Sequence, residues 1–474
     1  MAVFGPIFLA LISALSAEPL TLQQALEQAV RANLELRQAR LVLHSTELNI
    51  EAAHAGFDPT LWAGLDRAVT GREDQEDHSR TVGFSTGLSK PLGTGGSASL
   101  AWYGAHDQGS EPGSQSHDNQ LYLGLSQPIL EGAGRFASHY DIRWAQRSHA
   151  FQTLSYRAAK EDLALATATA YWSVVAACET LVIAQRSLSI AERQLAQTRE
   201  RRAEGFAALG DELQVERAVY TARQAQLMAE TSKANAEVSL LRLVGHDLDR
   251  RPVLELGDRP IDPEQPPDLQ LSIDIAREYN ARWLQHRLLV QNAAEQLQLA
   301  RNHSLPSLDL NGSVGLSGGA DEARDARTLV FSGHQPAWSM GLTLSMPIPG
   351  RAEGLETDQA WLGTLETRLA MQAAEQDLVQ GVEIAVRAVD RDTERVHLAR
   401  RTVDIAQAAL EADQELVAEG RGSTRELVRS LETLDAAQVS RLRAEIELQI
   451  SVLELMRIEG LLLTKLGLED QGYE

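Results

Sequence analysis

The sequence predicts an α+β membrane protein in which a β-barrel shared between chains is continued by a long α-helical coiled-coil barrel, built from two internal repeats. Three observations predict it. Apolar and small polar residues alternate in several short segments, helical stretches run far longer than a compact domain uses, and one order of segments recurs in both halves of the chain.

Composition sets the frame. Of 474 residues only 5% are aromatic and 43% hydrophobic, while Ala, Gln, Glu, Leu and Arg crowd stretches poor in Gly and Pro, as in long helices. A net charge of -22 argues against nucleic acid as a partner, because binding phosphates needs a surplus of Lys and Arg. The single cysteine, Cys178, excludes an intrachain disulfide and supplies no zinc set. Within an Ala-rich helical stretch it is expected to be a small packed residue.

Residues 1–17 read as a signal peptide: an apolar run from Phe4 to Leu15, then Ala14, Ser16 and Ala17 as small residues before Glu18. The run lacks a preceding Lys or Arg, which leaves a buried apolar start as the alternative. No cysteine follows it, so no N-terminal lipid anchor is expected. Further on, the nearest approach to a membrane-spanning helix, Tyr171 to Gln185, is interrupted by Glu179. Entry into a bilayer then requires a closed β-barrel, the other structure that pairs every backbone group in hydrocarbon.

Two repeats, 18–246 and 271–474, flank a linker at 247–270 that holds Pro252, Pro260, Pro263, Pro266 and Pro267. Each repeat opens with an amphipathic segment, Thr21 to Ala53 or Ser272 to Asn302, that reaches a proline before a strand-like stretch, Pro59 or Pro306. The strand regions, about 57–128 and 306–347, close with LGLSQPIL and LTLSMPIP. Long helices follow, from about Ala137 to Ala203 and from Glu353 to Ala418, each on the order of 100 Å at the α-helical rise. Heptad-like apolar positions mark their far ends: Leu181, Ala184, Leu188, Ala191 and Leu195, then Val396, Ala399, Val403, Ala406 and Leu410. Glycines in AEGFAALGDEL and AEGRGSTREL break both, and return helices run from about Asp211 to Gly245 and from Thr424 to Leu466.

In the strand regions, Leu308, Leu310, Val314 and Leu316 alternate with Asp309, Asn311, Ser313 and Gly315, and Trp338 to Met346 alternate likewise. A lipid-facing barrel strand has this pattern, and so has a half-buried soluble strand. The first repeat has room for four strands, near Leu61–Val69, Val82–Ser89, Ala98–Tyr103 and Leu121–Ser126, joined by long polar loops at one end and the short turn KPLGTGG at the other. Six strands cannot close a channel, and open edges in lipid are costly, so several chains must share one barrel. A surface-lying extra hairpin would reduce the count to four per chain.

Other patterns carry less. Gly83 to Gly87 matches G-x-S-x-G around Ser85, but no strand-to-helix elbow follows. Gly93, Gly95 and Gly96 lack a phosphate-loop lysine, and a hairpin turn accounts for them. His106, Asp107, His117 and Asp118 flank one loop; weak metal binding competes there with ordinary loop polarity. No catalytic, cofactor or metal residues are therefore assigned.

The order and twofold recurrence of LTLQQALEQAVRANLELRQA, the DPTL and LPSL strand starts, ATATAYWSVVAACETL, GDELQVERAVYTARQAQL and STRELVRSLETLDAAQ resemble the TolC-like outer-membrane efflux proteins over essentially the whole mature chain. The resemblance implies a homotrimer, hence eighteen strands, set in outer-membrane lipid and extending into the periplasm. It implies a passive conduit for efflux or type I secretion, not an enzyme, docked by a periplasmic adaptor and an inner-membrane pump. It places a latch at Asp211 and Arg425, with the register set only to within a residue. It places a constriction at Arg429, Glu432 and Asp435, where Arg429 stands in for an acid, and adaptor-docking tips at Gly205, Phe206, Gly420 and Arg421. Arg429 and Glu432, at i and i+3, would neutralise each other, or form an ordinary solvated pair. The competing readings are a non-conducting trimeric scaffold of the cell envelope and, on the Ser85 pattern alone, an envelope hydrolase.

Overall fold

The structure is a computed structural model that describes residues 20–71, 78–109, 114–246, 256–258, 266–333, 335–419 and 421–469. Residues 1–17, read as a signal peptide, most of the 247–270 linker and Gly420 lie outside the described residues. The first half contains α1 (Leu22–Ala32), α2 (Leu34–Ala55), β1 (Thr60–Gly71), β2 (His78–Pro91), β3 (Ser97–Gln108), β4 (Gln115–Pro128), α3 (Gly134–Ser138), α4 (Tyr140–Ala203) and α5 (Leu209–Val244). The second contains α6 (Leu269–Tyr279), α7 (Ala281–His303), β5 (Ser307–Ala320), α8 (Ala323–Ser332), β6 (Pro336–Ser345), α9 (Arg351–Ala418), α10 (Thr424–Glu459) and α11 (Leu462–Lys465). The chain divides into two compact units, one of residues 41–154 and 285–373, the other of residues 1–40, 155–284 and 374–474.

The first unit holds one antiparallel sheet in the order β1-β2-β3-β4-β5-β6. Its register gathers the alternation of the sequence into two faces. Leu65 pairs with Phe84, Leu100 with Leu123, Leu121 with Leu316, and Val314 with Trp338, all on one face. That face is exposed: Leu65 and Trp338 are each 81% accessible and Met340 72%. The opposite face carries small and polar residues, with a hydroxyl contact of 2.8 Å between Ser313 and Ser339 and a hydrogen bond of 2.9 Å from Tyr122 to Tyr103. Among the described residues, β1 and β6 each pair on one side only. Ser85 sits in mid-strand on the polar face of β2, which turns into β3, so the context of a nucleophile elbow is absent.

Two features depart from the sequence reading of this region. The strand region 306–347 is interrupted by α8, whose Ala326 and Val330, one turn apart, are buried. Each amphipathic opening, read as one helix, is two. Asn33 ends α1 by donating its N–H to Ala29 O and starts α2 by accepting from the Glu35 and Leu36 amides. Asn280 does the same between α6 and α7, donating to Ala276 O and accepting from Trp283 N. Their side-chain amides reach back to the return helices, Asn33 to Leu243 O and Asn280 to Ile458 O.

The helical unit packs two hairpins, α4 with α5 and α9 with α10. Ala184, Leu188 and Ala191 are buried along α4, and Ala406 and Leu410 of α9 close on Leu434 and Ala437 of α10. The second return helix stops at Gly460, where φ is 75°, rather than running to Leu466. The short α11 that follows is tied back by a 2.6 Å hydrogen bond from Lys160 Nζ to Leu468 O. One helix among the described residues, α4, which holds Tyr171 to Gln185, contains an 18-residue window apolar enough to cross a membrane by length and composition alone. Around Tyr171 this helix packs into the bundle: Tyr171, Trp172 and Val174 are buried, and the Tyr171 hydroxyl donates to Asp258 at 2.9 Å. Cys178 is half-buried, and burial pushes its thiol pKa up.

Glu161 on α4 is the most strongly perturbed carboxyl of this unit. Burial pushes its pKa up to about 7 against the opposing charge of Arg157, whose Nε lies 3.3 Å away. A raised carboxyl favours the folded state fully below its unfolded value and loses that contribution as pH rises through about 7. Thermal unfolding is therefore expected to show stability rising from pH 8 to pH 5. In Glu161→Gln that rise should shrink by an amount on the order of 1–3 kcal/mol.

Candidate functional site

The charged candidates lie at and near the hairpin tips. At the first tip α4 ends in a Schellman turn: Gly205 N donates to Arg202 O at 3.0 Å and Phe206 N to Arg201 O at 2.8 Å. Gly205 has φ 83°, the left-handed region that a side chain would strain. Phe206 is 74% exposed beyond it, and Leu209 and Leu213 are exposed on the first turns of α5. Asp211 caps that helix by accepting from Ala208 N at 3.1 Å. Next to it, Glu212 binds Arg202 and Arg199, and these guanidiniums, Arg202 first, hold its carboxyl below the usual range.

At the second tip, Arg421 N and Gly422 N both donate to Leu416 O, at 2.9 and 2.8 Å. Ser423 caps α10, its Oγ accepting from Arg425 N at 3.2 Å. The exposed Arg421 lies 3.5 Å from Glu419.

The two hairpins meet through Arg425, but not at the expected partner. Its Nε donates to Gln214 Oε1 at 3.3 Å, three positions beyond Asp211. The physical reason is local: Asp211 is turned back onto its own helix N-terminus, where the cap holds it, while Gln214 lies one turn further along α5. Among the described residues no ion pair joins Arg429 to Glu432, and both are exposed, so the expected mutual neutralisation is absent. Asp435 turns the other way, toward Ser187 and Arg186 of α4. Burial raises its carboxyl pKa, opposed by the Ser187 hydroxyl and the Arg186 charge and reinforced by Glu432. A groove of about 1100 Å³ separates the hairpins, with Arg193, Glu200 and Gln194 from the first facing Leu431, Glu432 and Asp435 from the second.

Gln214 and Ser187 escape a reading of the sequence, since neutral side chains carry no charge pattern, and only their spacing of about one turn from Asp211 and Ala191 offers a clue. The His106, Asp107, His117 and Asp118 group lies within β3 and β4 and splits in two. The histidines stack on the apolar face, ring centroids 4.2 Å apart, and the aspartates fall on the other. Among the described residues no group of three metal-ligating side chains forms.

The outer membrane efflux protein family model matches residues 25–246 and 273–461, and the chain belongs to that family. Outer membrane protein TolC of Escherichia coli (strain K12) is 26% identical over 306 residues, which is 63% of this chain and 61% of that protein. Protein CyaE of Bordetella pertussis is 26% identical over 233 residues, 49% of this chain and 47% of that protein. The chain thus aligns with less than two thirds of the length of these relatives. Among solved structures, a membrane protein from Pseudomonas aeruginosa superposes with a TM-score of 0.70 at 19% identity, covering 93% of this chain and 90% of that one. VceC from Vibrio cholerae superposes at 0.67 and 15% identity, covering 93% and 96%. The fold is that of these membrane proteins, and family membership places the protein in the outer membrane.

The two tip glycines of the first hairpin separate strain from propensity, because a Cβ added at either would meet no neighbour within 4 Å. Gly205→Ala is expected to cost about 1–2 kcal/mol for a left-handed residue and to speed hydrogen exchange at the Phe206 amide. Gly210→Ala, inside α5, is expected to stabilise by roughly 0.5–1 kcal/mol and leave that amide unchanged. Equal effects of the two would show that the Schellman turn does not set the tip.

Proposed function

We propose that the mature chain is one third of a passive trimeric conduit that leads from the periplasm to the exterior and is gated at the periplasmic helix tips. One observation carries this reading: a six-stranded sheet with an apolar exposed face, a polar face and two unpaired edges. In hydrocarbon such edges are tolerated only if paired, so β6 of one chain closes on β1 of the next, giving eighteen strands around a wet lumen. The twice-used asparagine break and the two hairpins of similar length support two repeats, 18–246 and 271–474, joined by the 247–270 linker.

On this reading the tips close the conduit and receive a periplasmic adaptor, which links it to an inner-membrane pump. Gly205, Phe206, Gly420 and Arg421 form the docking surface, Phe206 being its exposed apolar anchor. Arg429, Glu432 and Asp435 lie near the constriction. The Arg425 to Gln214 hydrogen bond is the link between hairpins nearest the tips, with Asp435 and Ser187 tying them further along, and Asp211 stays in its own helix cap. No step of chemistry is required of the protein.

Planar-bilayer recordings test this directly. The wild-type trimer should conduct in small, mostly closed steps. Arg425→Ala should raise mean conductance several-fold, and Gln214→Glu, which turns the link into an ion pair, should lower it. An intact trimer that never conducts, in wild type and Arg425→Ala alike, would favour the scaffold.

A further inference from the structure

The end of the sheet that carries α8 holds a feature that the conduit does not use. α8 lies against β4 and β5 on the apolar face. Gly318 makes this seat possible: a Cβ there would stand 2.5 Å from Ala326 O and 2.8 Å from Val330 N. Phe331, 70% exposed, projects from α8 with its ring 6.5 Å from that of Trp102. Between α8 and the strands runs a groove of about 260 Å³.

The register grades this groove from polar to apolar. Val82, His106 and His117 form the row nearest the β1–β2 and β3–β4 loops, and Arg327 of α8 lines the same groove. The next rows toward the helix-bearing strand ends hold Leu65 with Phe84, then Trp102. His117 Nδ1 donates to Asp321 O at 3.1 Å, and His106 Nδ1 is buried without a hydrogen-bond partner. Arg67 sits opposite Val82, and Arg80 one row further out, both exposed on the same face. Among the described residues, none of Arg67, Arg80 and Arg327 is ion-paired.

Three exposed guanidiniums with no ion pair among the described residues, Arg327 lining the apolar groove with its Nε on Ala323 O and Arg67 and Arg80 on the adjoining rows of the same face, match an anionic headgroup with an acyl chain beneath it. Guanidinium forks pair bidentately with phosphate, and their charge exceeds what a zwitterionic phospholipid would neutralise. We propose that this groove binds a phosphate-bearing acylated glycolipid of the outer leaflet. Arg327, flanked by Arg67 and Arg80, holds the phosphates, His106 completes the polar end, and an acyl chain lies along Leu65, Phe84 and Trp102. The assignment rests on the outer-membrane orientation proposed above, because the α8 end faces outward only if the helical hairpins are periplasmic.

The test uses the full mature chain, reconstituted into phosphatidylcholine vesicles that contain bisphosphorylated lipid A as a minority component, then released into mild detergent for native mass spectrometry. Wild type should retain lipid A over phosphatidylcholine by about tenfold or more, and Arg67→Gln combined with Arg327→Gln should remove most of that preference. Gly318→Leu, which forces α8 off the sheet, should remove it as well, and the double arginine variant carries the test if Gly318→Leu fails to fold. Excess inorganic phosphate should not displace the lipid. The proposal is overturned if the double variant retains lipid A as wild type does, or if inorganic phosphate displaces it. Wild type that enters vesicles without lipid preference refutes this site alone, whereas wild type that does not enter vesicles refutes the membrane orientation and the site with it.

Discussion

An unpaired strand edge in hydrocarbon is the constraint on which the proposed assembly depends. Each backbone N–H or C=O left without a partner there costs several kcal/mol, and this sheet offers a whole row of them on β1 and another on β6. Most of its side chains suit lipid rather than water on one face, whose exposed residues include Leu65, Phe84, Leu123, Val314, Trp338 and Met340. Nor can six strands curl on themselves around a pore. On the proposed reading the sheet is an incomplete object completed by other copies of the chain, and assembly then follows from backbone chemistry before any side-chain contact is considered.

The helical unit solves a different problem, that of holding long rods in register. Its hairpins are held by apolar seams such as Ala406, Leu410, Leu434 and Ala437, and by a few buried polar ties. Asp392 is one: burial alone would raise its carboxyl pKa, yet the two hydrogen bonds of Arg391 and that from Ser451 outweigh it and hold the carboxyl below its usual value. Near the tips the tie between the two hairpins is, among the described residues, single and exposed, from Arg425 to Gln214, while Arg199 and Arg202 bind Glu212 within the first hairpin. A weak, solvated link between hairpins at the end of strongly packed rods suits the gate proposed there, since parting the hairpins at that point breaks few contacts.

Much of this is legible in the sequence, for reasons that differ from place to place. The strands are readable because alternation has a period of two and any slip would turn the apolar set over. Long helices are readable from heptad seams and from the glycines that stop them, Gly205 among them. What escapes is set by tertiary contact. The break at Asn33 depends on one amide serving two helix ends at once, and α8 depends on a flat place at Gly318 onto which ten residues of ambiguous pattern can settle. At the tip, charge matching points to Asp211, but a helix N-terminus claims that carboxylate first and leaves Arg425 to a neutral amide.

The claim that neighbouring chains complete the barrel is tested most directly by solid-state NMR on trimers reassembled from two pools, one carrying 15N backbones and the other 13C carbonyls. Interchain transfer between β1 amides and β6 carbonyls is the result this account predicts. Transfer confined to strand pairs already present within one chain, in a protein that remains in the bilayer, would contradict it.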